Sequence, residues 1–189
     1  SGKIVEVGPG GGVVLDLLEN RFKDSEIYGL DLSHQVILAL EQKKAKQQAK
    51  WQVIEGNAFE LPDLFSENSL DAVVFCSILH EIYSYVEQSD GSRFHLESVR
   101  DMLLAAFRTL KTGGRILIRD GIMPEHEPRM LRFKCEDAKS FFEAFCREFK
   151  GRTIVPNYID NETVLLDSAD AMEFMYTYTW GPEAFPYEV

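Results

Sequence analysis

Basic residues are in short supply. The 189-residue chain has 20 Lys and Arg against 31 Asp and Glu, a formal net charge of −11. Broad phosphate-driven affinity for nucleic acid needs basic stripes, so this balance argues against it and leaves only a local patch for that purpose. Cysteine is sparse too: Cys76, Cys135 and Cys146 are scattered, with no CxxC pair and no Cys/His cluster of zinc spacing. That pattern argues against a disulfide framework or a structural zinc, predicts no metal site, and fits reduced thiols in a cytoplasmic protein. No apolar run reaches the ~18 residues of a membrane span, and neither a signal-peptide pattern nor an internal repeat is present. The chain opens Ser1-Gly2-Lys3 without a methionine and stops at Tyr187-Glu188-Val189 with no ending signal, so a longer protein is expected around it.

What is present is enough for a packed core: 45% of residues are hydrophobic and 12% aromatic. Length favours one domain with an elaboration. Short β-rich runs stand at 3–7 (KIVEV), 27–31 (IYGLD), 51–55 (WQVIE), 71–76 (DAVVFC) and 115–120 (RILIRD). Helical spacing occupies 13–22, 33–50 and 93–110, with Ser33 as a cap and Lys43, Lys44, Lys46 and Lys50 crowding the second helix's C-terminal half as an ordinary solvated face. The run at 71–76 is almost wholly apolar, as a strand buried on both faces should be. Alternating strands and helices predict an α/β fold with a doubly wound, mostly parallel sheet in three layers, its strand C-terminal ends gathered on one ligand-binding edge. Residues 1–120 would form this core.

From about residue 121 the alternation fails. Residues 129–150 read as one helix anchored by Phe133, Phe141, Phe142, Phe145 and Phe149, followed by strand-like segments near 152–155 and 162–166. Asp167 is placed to cap an aromatic-rich helix containing Phe174, Tyr176, Tyr178 and Trp180, with Phe185 and Tyr187 beyond. These rings suit packing, or stacking on a flat substrate. Residues 121–189 would be a helical, aromatic-rich lid or insertion after strand five, or an incomplete C-terminal part of the same domain.

The chemistry concentrates at the strand ends. Residues 6–12 read Glu-Val-Gly-Pro-Gly-Gly-Gly between a strand and a helix, where glycines permit positive φ and let backbone N–H groups face a ligand. A dinucleotide turn of the GxGxxG form would need a third glycine at position 13, which is Val13. Asp31 ends strand two, 23 residues past Gly8, where a carboxylate accepts both ribose hydroxyls of a nucleoside; the alternative is a turn aspartate before Ser33. After strand three comes Gly56-Asn57-Ala58, and Leu110-Lys111-Thr112-Gly113-Gly114 leads into strand five.

An acidic residue followed by xGxGxG, then Asp31, Asn57-Ala58 and the Leu-x-x-Gly-Gly turn, in this order over residues 4–119, resembles the class I S-adenosylmethionine-dependent methyltransferases. The family commonly has aspartate where this chain has Asn57. The resemblance implies S-adenosyl-L-methionine as cofactor and S-adenosyl-L-homocysteine as product. It implies that Glu6 anchors the methionine end, that Gly8, Pro9 and Gly10 pack against it, and that Asp31 holds the ribose. Leu32 would pack on the adenine, Asn57 and Ala58 would read its edge, and Cys76 and Ser77, at the end of strand four, would line the sulfonium side.

The acceptor is less defined. The segment after strand four reads Ser77-Ile78-Leu79-His80-Glu81. His80 has a near-neutral intrinsic pKa that suits a general base, with Glu81 acting beside it or orienting it. The alternative is that His80 caps or packs at a helix start and Glu81 is solvated. Asp120 is a second candidate for the substrate pocket, whereas His126, between glutamates, reads as a surface loop. The Asn/Asp-Pro-Pro-Tyr/Phe, Pro-Cys and paired-glutamate patterns of nucleobase, glutamine-amide, cytosine-C5 and arginine enzymes are missing, which favours a small-molecule substrate. Nucleic acid or protein acceptors, a non-catalytic cofactor-binding protein and, behind these, a nicotinamide oxidoreductase are the alternatives. No membrane partner is expected, and oligomeric state is not legible.

Overall fold

The computed structural model describes residues 2–122, 124–183 and 185–188; Ser1, Met123, Ala184, Val189 and the side chains of Tyr187 and Glu188 lie outside the described residues. The chain forms two compact units, residues 1–121 and 122–189.

The first unit is built on five strands: β1 (Lys3–Val7), β2 (Glu26–Asp31), β3 (Gln52–Glu55), β4 (Leu70–Cys76) and β5 (Leu110–Arg119). They pair in the order β3-β2-β1-β4-β5, and every pairing is parallel. The helices are α1 (Val13–Arg21), α2 (His34–Gln47), α3 (Leu61–Leu64), α4 (Leu79–Tyr85) and α5 (Leu96–Thr109). Strand alternation sorts the side chains into two cores. Val5, Val7, Leu30, Val73 and Phe75 pack with Leu61, Leu79, Ile82, Met102 and Ala106 of α3–α5. Ile4, Ile27 and Val74 pack on the opposite face with Leu15 of α1, Leu40 of α2 and Trp51. This is the expected doubly wound, three-layer arrangement, since a sheet buried on both faces must be apolar at consecutive positions.

The turn at 111–114 differs in kind from the expectation. Leu70 pairs with Leu110 and Ala72 with Arg115, so the intervening residues bulge from within β5, with Gly113 at φ 82°. Only a residue without a Cβ takes that conformation at no cost.

The second unit contains β6 (Pro128–Arg132), α6 (Glu136–Glu148), β7 (Asn157–Tyr158), β8 (Thr163–Asp167), α7 (Ser168–Trp180) and α8 (Phe185–Glu188). Its sheet is antiparallel in the order β6-β8-β7. The single helix expected over 129–150 is corrected here: helix begins only at Glu136, and Arg129–Arg132 pair with Leu166–Thr163 of β8. Phe142, Phe145 and Phe149 recur at helical spacing, whereas Phe133 joins the same core from outside the helix. The strand expected at 152–155 lies instead at 157–158: Ile154 is buried by its side chain, but Pro156 has no N–H to give a ladder. Asp167 caps α7 as expected, its Oδ1 accepting from the Ala169 N–H at 2.8 Å.

The aromatic residues divide between packing and surface. Phe174 is buried and meets Phe142, Phe145, Phe141 and Tyr178 at centroid distances of 5.0–6.3 Å, while Tyr176 and Trp180 are exposed. His126 is exposed and pairs with Asp167 at 3.0 Å. Among the described residues, no helix is long and apolar enough to cross a membrane. Phe174→Ala should cost about 3–5 kcal/mol through the cavity it opens, seen as lost hydrogen-exchange protection across α6, α7 and β8.

Candidate functional site

The sheet order reverses between β1 and β4, and the segments leaving these two strands flank that switch point, where open α/β sheets take their ligands. Leaving β1, the chain turns at Gly8 (φ 66°), Gly10 (φ 48°) and Gly12 (φ 70°). The Gly8 N–H donates to the Leu30 carbonyl at 2.9 Å, and the Gly12 N–H to that of Pro9 at 2.8 Å. Gly8 is required twice over, by its positive φ and because a Cβ there would lie 2.6 Å from Cδ1 of Ile78. Pro9 is buried over Gly29, whereas Gly10 is exposed and faces open space. Gly12, left-handed, starts α1 without a side-chain cap.

Glu6 is the anomaly of β1: an acid only 2% exposed in an apolar layer, with no hydrogen-bond partner for Oε2 among the described residues. Burial drives its carboxyl up to about 7, against an opposing pull from the Lys43 ammonium. Lys43, expected on a solvated face, instead reaches from α2 onto the glycine turn. Its Nζ donates to the carbonyls of Gly11 (2.8 Å) and Gly12 (2.9 Å) and pairs with Asp16 at 2.6 Å. The signal was periodic: Val36, Leu40 and Lys43 follow one another at helical spacing on the face α2 turns to the sheet.

The residues expected at the nucleoside end also lie at strand ends. Asp31 ends β2; its Oδ1 accepts from the Ser33 N–H at 2.9 Å, and the adjacent Leu32 is 73% exposed. Asn57 caps a single 3₁₀ turn at Ala58–Glu60, its Oδ1 accepting from the Phe59 N–H at 3.1 Å, and Ala58 packs partly against the core. The side-chain carbonyl of Asn57 therefore already has one partner, with its second lone pair and its NH₂ group remaining.

On the far side of the switch point, Ser77 takes the left-handed conformation (φ 57°), uncommon for a residue with a Cβ. Its N–H donates to the Arg119 carbonyl (2.7 Å), and its hydroxyl accepts from the Arg119 guanidinium (2.5 Å). His80 and Glu81 are exposed in the first turn of α4. The carboxylate bound to His80 is Asp120, whose Oδ1 lies 2.8 Å from Nδ1 while Oδ2 accepts from the Leu79 N–H at 2.8 Å. Burial raises the Asp120 carboxyl, but hydrogen bonds from His80, Gly121 and Leu79 together with the His80 charge outweigh it and hold it below the usual carboxylate value. An ionised Asp120 keeps the proton on Nδ1 and presents the lone pair of Nε2 outward, the arrangement of a general base.

Glu6 has a signature in stability. Its folded pKa lies above its unfolded value of 4.5, so the native state holds the proton longer and stability falls as pH rises from about 4.5 to about 7. Glu6→Gln should flatten that slope in urea titrations and exceed wild type at pH 8 by on the order of 2–3 kcal/mol. An unchanged slope would show that Glu6 titrates normally.

Comparison with known proteins agrees with this geometry. A family model described as a methyltransferase domain matches residues 5–118, well over half the chain. No curated protein matches by sequence. Among solved structures, an S-adenosylmethionine-dependent methyltransferase from Aquifex aeolicus is 18% identical with a TM-score of 0.51, over 88% of this chain and 81% of that one. A candidate methyltransferase from Bacillus halodurans is 17% identical with a TM-score of 0.52, over 79% and 54% of the two chains. A candidate sarcosine dimethylglycine methyltransferase from Galdieria sulphuraria is 16% identical with a TM-score of 0.50, over 77% and 46%. The chain thus spans about half the length of the latter two. At such identities the likeness is one of fold, and with the matched family model it places the chain in the methyltransferase-domain family, class I in architecture.

Proposed function

We propose that this chain binds S-adenosyl-L-methionine across the ends of β1, β2 and β3 and transfers its methyl group to a nucleophile on a small molecule held beyond β4 and β5. The observation that carries the reading is the buried carboxyl of Glu6, whose Oε2 has no hydrogen-bond partner among the described residues, at the switch point next to a turn of left-handed glycines. A buried, unpartnered acceptor is costly unless a cationic or N–H-bearing ligand satisfies it. The amino group at the methionine end of the cofactor has that chemistry.

In this arrangement Gly8 and Gly10 bring backbone close to the ligand, with Pro9 holding the turn on Gly29. Asp31 accepts the ribose hydroxyls, Leu32 covers the adenine, Asn57 and Ala58 meet its edge, and Ser77 lines the sulfonium side. The bound sulfonium supplies an already activated methyl group, so the protein's task is mainly to align the acceptor and exclude water. His80, oriented by Asp120, takes the proton from an acceptor that must lose one. Three unpaired thiols, Cys76, Cys135 and Cys146, fit a cytoplasmic setting.

Titration calorimetry separates the readings: S-adenosylhomocysteine should bind with micromolar affinity and NADH should not, and the reverse result would replace the methyltransferase by an oxidoreductase. Asp31→Ala should weaken S-adenosylhomocysteine binding by about 1–3 kcal/mol if the carboxylate holds the ribose; a folded variant of unchanged affinity would remove that role. Screening methyl transfer into metabolite, RNA and protein fractions of a cell extract identifies the acceptor, with incorporation expected in metabolites. On that acceptor His80→Gln should lower turnover about 10²–10⁴-fold while cofactor affinity holds. Equal turnover would leave His80 as a packing residue.

A further inference from the structure

The glycine turn is held by few backbone bonds: the Gly8 N–H to the Leu30 carbonyl, the Gly12 N–H to the Pro9 carbonyl, and the Asp16 N–H to the Gly12 carbonyl at 3.2 Å. Gly10 and Gly11 face open space, Gly12 begins α1 without a side-chain cap, and three of its glycines have positive φ. Further fixation comes from α2. An ammonium group has three donors, and the Nζ of Lys43 directs them to the Gly11 carbonyl, the Gly12 carbonyl and Asp16, at 2.6–2.9 Å. No donor is left over for a ligand, so Lys43 acts on the turn rather than on what the turn binds. Asp16 is anchored in turn: its Oδ1 accepts from Nε1 of Trp51 (3.0 Å), a fully buried ring at the entry to β3. A continuous set of polar contacts therefore ties the turn to α1, α2 and the start of β3.

We propose that Lys43 is a positioning residue for the cofactor: it locks the glycine turn in its ligand-ready shape. This rests on the S-adenosylmethionine reading given above. The geometry favours it because a planar trans peptide points its C=O and N–H in opposite directions. Holding the Gly12 carbonyl toward α2 turns the Val13 N–H away from it. The electrostatics act in the same sense. Glu6 lies on the sheet face covered by α1 and α2, and the charge that acts on it there is Lys43, itself paired with Asp16. Without Lys43, burial would act on Glu6 unopposed, and more of it would be protonated at neutral pH.

The test is S-adenosylhomocysteine affinity from pH 6 to 9 for wild type, Lys43→Met, Lys43→Arg and Asp16→Asn, with hydrogen exchange over residues 8–13. Lys43→Met should bind roughly tenfold more weakly at pH 7.5, since charge-assisted bonds to the turn are lost. Its binding midpoint should move to higher pH and the turn should exchange faster. Lys43→Arg should recover most of the affinity, because the cation is retained. Asp16→Asn leaves the Lys43 charge uncompensated and should move the midpoint the opposite way, to lower pH, a shift that general loosening would not produce. It also serves if Lys43→Met does not fold. Wild-type affinity, pH profile and exchange in Lys43→Met, or a midpoint in Asp16→Asn that rises or stays fixed, would overturn the role of Lys43. If wild type itself binds no S-adenosylhomocysteine, the cofactor reading fails, and the exchange rates still decide whether Lys43 holds the turn.

Discussion

β1 is hydrogen-bonded along both edges, to β2 on one side and to β4 on the other, with Val5 opposite Tyr28 and Val73. Five residues thus define where the sheet reverses, and they bring the ends of β1 and β4 side by side. Because β1 is enclosed, its side chains from Ile4 to Val7 are buried whichever face they take, and so its acid is buried too. Because its exit lies against Ile78, the first residue of the turn must be a glycine. The two requirements have one cause, the close packing of parallel neighbours at a switch point.

The site then divides by electrostatic character. On the α1–α2 face, a carboxylate in an apolar layer is opposed by one partly buried cation, itself held by backbone carbonyls and Asp16. At the ends of β4 and β5 a carboxylate is surrounded by donors and stays ionised, orienting His80. Two acids 114 residues apart in the chain are pushed in opposite directions by their surroundings, one by burial and one by the donors around it.

Much of the first unit was legible in advance for a simple reason: strands buried on both faces must be apolar throughout, and glycines that take positive φ cannot be replaced cheaply. DAVVFC and the turn at 6–12 carry those marks locally. The second unit was less legible because Arg129–Arg132 have no strong local preference and become a strand only through pairing with β8. Leu110–Gly114 looked like a turn because two adjacent glycines mark both turns and bulges, and only the register with β4 distinguishes them.

By itself, the sequence determined the class of fold, the alternation of strands and helices along the first unit and the chemical types gathered at the strand ends, since hydrophobic period and turn glycines are local consequences of backbone geometry. Only the tertiary structure decided which partners those groups meet. Nothing local singles out Lys43 from its neighbours Lys44 and Lys46 except its helical phase, and nothing local assigns Asp120 to His80, 40 residues away. Burial and pairing across such distances depend on how helices lie on the sheet, and in this protein they give ordinary Glu, Lys, His and Asp residues the partners and burial reported for the candidate site.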